Sequence, residues 1–306
     1  MLVENNCVFK PRVNFINQKR SPLYRLMPEL LSIIASFLDE SSKASFAMTS
    51  HKFYKKINYK KNICYHAAEE GHLALFKWGR EIKCEFRPHA YAHLAAMHGH
   101  LPIIKFISSL GIKLSERVCE TAAYHGQFEI LDWCYENQIP MNVIVSNFLA
   151  LKGHFEKLKW AHAIGVPLSP KVCEYAALKG NLTMLKWAKE KGVQWNEAVL
   201  EKAALKGRVE ILKWAVDNGA PINFYITSNA AMNGHLDALI CARSLNLPWN
   251  NLVCVNASRF GYLKVLEWAI YNGAPHNLQE LINTARENRK KDVVTWLQSI
   301  QKQKLS

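Results

Sequence analysis

The sequence predicts an all-α solenoid of stacked two-helix units, and three observations predict it. First, glycine recurs at Gly71, Gly99, Gly126, Gly153, Gly180, Gly207, Gly234 and Gly261, one step of 28 residues followed by steps of 27. A ninth unit has Arg289 in the glycine slot, fixed by Ala285 before it and Trp296 after it. Second, paired alanines precede most of these glycines, as Ala67/Ala68, Ala95/Ala96, Ala122/Ala123, Ala176/Ala177 and Ala230/Ala231. Third, Trp133, Trp160, Trp187, Trp214, Trp268 and Trp296 fall at one phase of the unit. A fixed period in this range means a linear array of small units. Each unit buries its apolar face only against its neighbours, which favours an extended binding surface over an enzyme pocket.

In chain order, residues 1–20 form an N-terminal tail without a strong pattern. Residues 21–60 read as a helical module. Pro28 stands at the start of a helix whose apolar positions are Leu30, Leu31, Ile33, Ile34, Phe37 and Leu38. Residues 39–42 break it. A second helix carries Ala44, Phe46, Ala47 and Met48, and a third begins near His51 with Phe53 and Tyr54. One reading of this module is a cap that shields the apolar end of the array, which arrays require.

Residues 61–300 carry nine units, and residues 196–219 show their logic. Asn196 is placed to cap the first helix, as are Ser115, Asn142, Ser169, Asn223 and Asn250 in other units. Val199, Ala203 and Ala204 form the apolar stripe at helical spacing. The small alanines let neighbouring helices approach closely. Gly207 breaks the helix by allowing a left-handed turn. The second helix covers about 209–217 with Ile211, Leu212, Trp214 and Ala215 inward, and Gly219 ends it. Proline often follows two residues later, as at Pro140, Pro167, Pro221, Pro248 and Pro275, and enforces an extended link. The tryptophans could serve as a stacking ladder for bases. Their apolar neighbours favour a repeating core layer, so truncating one to alanine should cost about 3–5 kcal/mol. The last unit turns polar at Arg289, Lys290 and Lys291, as a terminal cap should, and 301–306 form a tail.

Composition excludes several classes. No run approaches the ~20 apolar residues of a membrane span, and the first residues lack a secretory signal pattern, so an intracellular, cytoplasmic, monomeric protein is expected. Cys64, Cys119, Cys173 and Cys254 share a slot seven residues before the glycine, a small buried position that free cysteine fills well. The closest pair is read as two repeats apart, so no bridge is expected, and without a CxxC no cysteine zinc site either. The net charge is +14, and residues 1–61 carry eleven Lys/Arg against four Asp/Glu. This is a bias toward acidic partners, on a solvated basic surface or a nucleic-acid-binding one. No catalytic motif, cofactor fingerprint or metal set is found. His89 and His93 are four apart and could share a helix face and bind a metal, but no metal site is expected there, and His125 and the other single histidines need no special reading. Glu129, Glu156 and Glu210 recur where the second helix starts and favour its dipole. Lys105, Lys159, Lys186 and Lys213 are expected to make a solvated basic row, with phosphate binding the less favoured alternative.

Binding residues are sought where a helix surface varies among units. Ten, nine, six and five residues before the glycine most units are polar, as at Glu197, Glu201 and Lys202. Val143, Ile144 and Phe148 in one unit, and Phe224 and Tyr225 in another, break that rule and suggest a contact patch. Arg117, Lys171 and Tyr175 lie in intervening or adjacent units and complete the expected target-binding set.

The stretches AAEEGHLALFKW from Ala67, AAMHGHLPIIKF from Ala95, AALKGNLTMLKW from Ala176 and AAMNGHLDALIC from Ala230 resemble the ankyrin repeat across about 62–300. The threonine-proline-leucine-histidine signature of that family is missing, although His93 stands in its histidine slot. The period is also short where ankyrins carry a β-hairpin finger, so the fingers are expected to be cut to tight loops. Such short repeats with a Leu-Lys-Trp core look like those of large DNA viruses of amoebae. The module at 21–60 is similar to an F-box, through Leu26-Met27-Pro28-Glu29-Leu30-Leu31, Phe37-Leu38 and Ser50-His51-Lys52-Phe53. That resemblance implies docking on the Skp adaptor of a cullin–RING ubiquitin ligase through Leu26, Pro28, Leu30, Leu31, Ile34 and Leu38. Three functions follow as expectations: a non-enzymatic adaptor that presents a captured protein to the ligase, a plain ankyrin scaffold with an N-terminal cap, or a basic nucleic-acid binder.

Overall fold

The computed structural model describes residues 63–81 and 83–303. The adaptor-docking set Leu26, Pro28, Leu30, Leu31, Ile34 and Leu38 lies outside the described residues. Among those described there are eighteen α-helices and no strand. The helices alternate as first and second members of each unit: α1 (Ile63–Glu70), α2 (Leu73–Glu81), α3 (Pro88–His98), α4 (Leu101–Ser109), α5 (Arg117–His125), α6 (Phe128–Glu136), α7 (Val143–Lys152), α8 (Phe155–Ala163) and α9 (Pro170–Lys179). They continue as α10 (Leu182–Glu190), α11 (Ala198–Leu205), α12 (Val209–Asp217), α13 (Tyr225–Met232), α14 (Leu236–Ser244), α15 (Leu252–Phe260), α16 (Leu263–Tyr271), α17 (Leu278–Glu287) and α18 (Lys291–Gln303). This is an ankyrin-like helical-repeat solenoid, and irregular links without strands stand where fingers would be.

The chain divides into two compact units, 1–91 and 92–306. In the described part of the first, Cys64, Ala67, Ala68 and Phe76 are buried. The Phe76 ring meets Tyr91 edge-on at 5.7 Å and Phe86 at 6.0 Å. Tyr91 donates its hydroxyl proton to the Glu85 carbonyl at 2.9 Å, which satisfies its one polar atom.

In the second unit each first helix stacks on the next, from α5 on α7 through to α15 on α17. The alanine pairs explain it: Ala122, Ala123, Ala176, Ala177, Ala203, Ala204, Ala230 and Ala231 are fully buried, so backbones can come close. Second helices carry leucine, isoleucine and tryptophan instead, and only α12 and α14 pack extensively against each other. The glycine-slot residues adopt the left-handed conformation expected of them, including Arg289 at φ 56° in the ninth unit. The amide after each slot closes the helix end back onto the carbonyl five residues earlier, most often the first alanine of the pair, as from Gln127 to Ala122 at 2.8 Å.

Three sequence expectations need correction. The tryptophans are not a uniform core layer: Trp133 is buried, but Trp160, Trp187, Trp214, Trp268 and Trp296 are half-buried. The slot sits at the border of the buried stripe, and the fully enclosed positions are its neighbours, such as Leu185, Ala188, Leu212 and Ala215. The ~3–5 kcal/mol cost therefore fits Trp133 and overstates the others. The cysteines are also closer than their slot suggested, because Cys119 and Cys134 hydrogen-bond within one repeat, both buried and both free. Finally, the capping residues diverge. Asn142 and Ser169 accept the amides of Ile144 and Lys171 as expected. Asn223 and Asn250 do the same for Tyr225 and Leu252. At Ser115 and Asn196 the helix begins two residues later without a side-chain cap, and Asn196 turns to Glu174 instead.

Candidate protein-binding site

The first helices of adjacent repeats are tied by side chains 22 residues apart. Asn142, Asn196 and Asn223 donate their amide protons to Glu120, Glu174 and Glu201 of the preceding repeat, at 2.7, 3.1 and 2.7 Å. Ser169 donates to Asn147 in the same relation. These acceptors occupy the position six before the glycine, which sequence reading treated as open binding surface. The position instead carries the stacking bonds, and Glu174 is buried by them. From the other side, Ser146 and Thr227 donate to the Pro167 and Pro248 carbonyls of the following link.

On this framework α3, α5 and α7 enclose an open cleft of about 480 Å³. Its walls are His93 and Met97 of α3, Phe148 of α7, and Arg117, Tyr124 and His125 of α5, with Glu120 and Thr121 between. Tyr124 is exposed and meets Phe148 edge-on at 5.1 Å. The Lys152 ammonium sits 3.7 Å from the Tyr124 ring centroid, a cation–π contact. Burial, and then the charges of Lys152, His98 and His93, push the His125 pKa below its ordinary 6.5. Burial and Lys152 lower His154 in the same sense. Both rings are therefore biased to the neutral form, and the positive charge at the cleft comes from Arg117 and the adjacent Lys152; the one carboxylate, Glu120, accepts from Asn142.

Of the expected binding residues, Arg117 and Phe148 come together here. Val143 is half-buried and Ile144 exposed at the start of α7, outside the cleft. Lys171 is committed to Glu174 at 2.8 Å, and that bond raises its pKa. Tyr175 is half-buried. Phe224 and Tyr225 form a separate exposed pair, rings 4.2 Å apart, at the start of α13. Sequence reasoning missed Tyr124, His125 and Met97. They lie one and two residues before the glycine, where most units carry an apolar or basic side chain, so an aromatic there gave no contrast. His93 was read as a family-slot residue and as a helix-face partner of His89, not as part of a cleft.

The tryptophan ladder is largely occupied by the protein itself. The Lys157 ammonium lies 3.6 Å from the Trp160 centroid, and it pairs with Asp132. Trp195 and Trp249, outside the ladder, pack on its Trp214 and Trp268 at 5.6 and 6.1 Å, and are themselves covered by Lys189 and Arg243. Trp187 takes the edges of Phe155 and His162. Among the described residues no cluster of histidine, cysteine and carboxylate could hold a metal ion. No described helix is long and apolar enough to cross a membrane.

Comparison with known proteins adds one match over part of the array. Residues 173–216, from α9 to α12, fit the family model for ankyrin repeats (many copies). The match covers that stretch of the array and agrees with its ankyrin-like helical repeat. No curated protein matches it significantly. Ankyrin repeats indicate a protein–protein interaction scaffold, and proteins built of them are generally non-enzymatic.

Proposed function

We propose that the chain is a non-enzymatic recognition scaffold that captures a protein on the exposed face of its first helices. The observation that carries this reading is that the exposed rings Tyr124 and Tyr225, on or at the start of those helices, pair with Phe148 and Phe224, with Ile144 exposed nearby on α7, whereas the exposed Tyr135, Ile240 and Tyr271 of second helices stand on separate repeats. The ring pairs Tyr124/Phe148 and Phe224/Tyr225 supply rigid contact area of the kind that dominates protein interfaces. Cross-linking the full chain to a captured protein should place the links on α5, α7 and α13. Links confined to the second helices would sink the reading.

The finer role is that of an adaptor. The support is the sequence of residues 26–38, with Leu26, Pro28, Leu30, Leu31, Ile34 and Leu38 as an apolar docking face for the Skp adaptor of a ubiquitin ligase. In that arrangement the array holds the substrate and the N-terminal segment holds the ligase. Co-purification with the adaptor, lost on Leu30→Asp while helicity is retained, is the expected outcome. A Leu30→Asp chain that unfolds, from a parent that never bound the adaptor, would assign the segment to capping.

A further inference from the structure

We propose that the cleft between α3, α5 and α7 docks an acidic peptide segment carrying one aromatic or branched apolar anchor residue. This rests on the recognition reading above and names the partner's chemistry. The charge of the cleft sets the first requirement. Among the described residues Arg117 forms no ion pair, and it stands exposed at the cleft wall. The Lys152 ammonium, 3.7 Å from the Tyr124 ring centroid, adds a second positive charge beside the cleft. The single acid, Glu120, already accepts the Asn142 amide proton at 2.7 Å. A guanidinium in this position is suited to a carboxylate, which it can grip with two parallel hydrogen bonds. Complementary charge then steers the encounter and rejects basic segments.

The aromatic wall sets the second requirement. Tyr124 and Phe148 meet at 73°, edge against face, and Met97 lies beside them. An apolar side chain inserted here gains ring contact on one side and an adaptable thioether on the other. The same geometry disfavours a nucleobase. Base binding needs open ring faces, and the Lys152 ammonium covers a face of Tyr124. The volume, about 480 Å³, falls within the roughly 300–1,000 Å³ that holds a compact ligand. That admits a few side chains of a segment and not a folded domain.

The test selects random short peptides displayed on phage against the full chain and against Arg117→Glu, with Arg117→Gln as a milder second variant. The expected result is enrichment of sequences in which Asp or Glu flank an aromatic or branched apolar residue. The best such peptide should bind about tenfold or more weakly to Arg117→Glu and to Tyr124→Ala. Lys264→Glu, at an exposed position of α16, should bind it as the parent does. Arg117 is exposed, so circular dichroism and melting of its variants should match the parent. The proposal is overturned if no sequence is enriched, if the enriched sequences are basic or neutral, or if Arg117→Glu retains them. It is also overturned if random-sequence single-stranded DNA displaces the peptide and depends on Arg117 equally. A captured protein whose cross-links map to Phe224 and Tyr225 alone would end this proposal while leaving the scaffold reading intact.

Discussion

Gly153 and Gly234 occupy the same slot of their repeats with φ 84° and 73°, yet they do different work. A Cβ on Gly153 would meet nothing within 4 Å, whereas one on Gly234 would lie 2.5 Å from the ring of Tyr262 in the next repeat. Gly153→Ala should therefore cost only the left-handed backbone penalty, about 1–2 kcal/mol. Gly234→Ala should cost about 1–3 kcal/mol more from overpacking. Urea unfolding checks both, and Tyr262→Ala should recover the extra part. The thiols give a second residue-scale expectation. Burial pushes Cys64 and Cys254 up to about 12 and Cys173 to about 11, and Cys119 is raised further by its bond to Cys134. A thiol reagent at neutral pH should label these positions only after unfolding; rapid labelling of the native chain would contradict their burial. His125 gives a third. Its folded-state pKa lies below 6.5, so the neutral ring is favoured on folding. That contribution is complete above about pH 6.5 and is lost as pH falls through the lowered value. Lys152→Met should raise the His125 midpoint in an NMR titration; an unchanged midpoint would remove Lys152 from the account.

At the scale of elements, what distinguishes first from second helices is the size of their contact residues. Alanine lets the first helices touch, and that proximity lets Asn223 reach Glu201 across the junction. A double-mutant cycle on Asn223→Ala and Glu201→Ala should return a coupling of about 1 kcal/mol, the net worth of one such hydrogen bond. Zero coupling would make the ladder a bystander. On the second helices, Trp133→Ala should lose about 3–5 kcal/mol, and Trp268→Ala visibly less because its ring is half-covered. Equal losses would show that burial does not rank these rings. Sequence periodicity found both helices, the breaks between them and their apolar stripes. It did not separate a buried indole from a half-buried one, since both share one phase of the 27-residue repeat.

For the array of residues 92–303, stability is a sum over units and junctions. Leu185 of α10 is fully enclosed, and Leu185→Ala should cost about 2–5 kcal/mol locally. In a linear array that loss should loosen α9–α12 while α15–α17 keep their amide protection, a pattern hydrogen exchange can read. Uniform loss of protection would mean the repeats unfold as one body. The order and register of these repeats were legible from residue spacing alone. Left-handed glycines, small paired alanines and apolar triplets act within a helix or between neighbours, where chain position dictates who meets whom. The cleft was legible only in part: Arg117 and Phe148 could be named, but not their meeting with Tyr124, His125 and His93. That convergence depends on how far each first helix is rotated against the next, which many side chains settle together by close packing. No local stretch of chain encodes that angle, so the surface a partner would meet emerges only when the repeats are stacked.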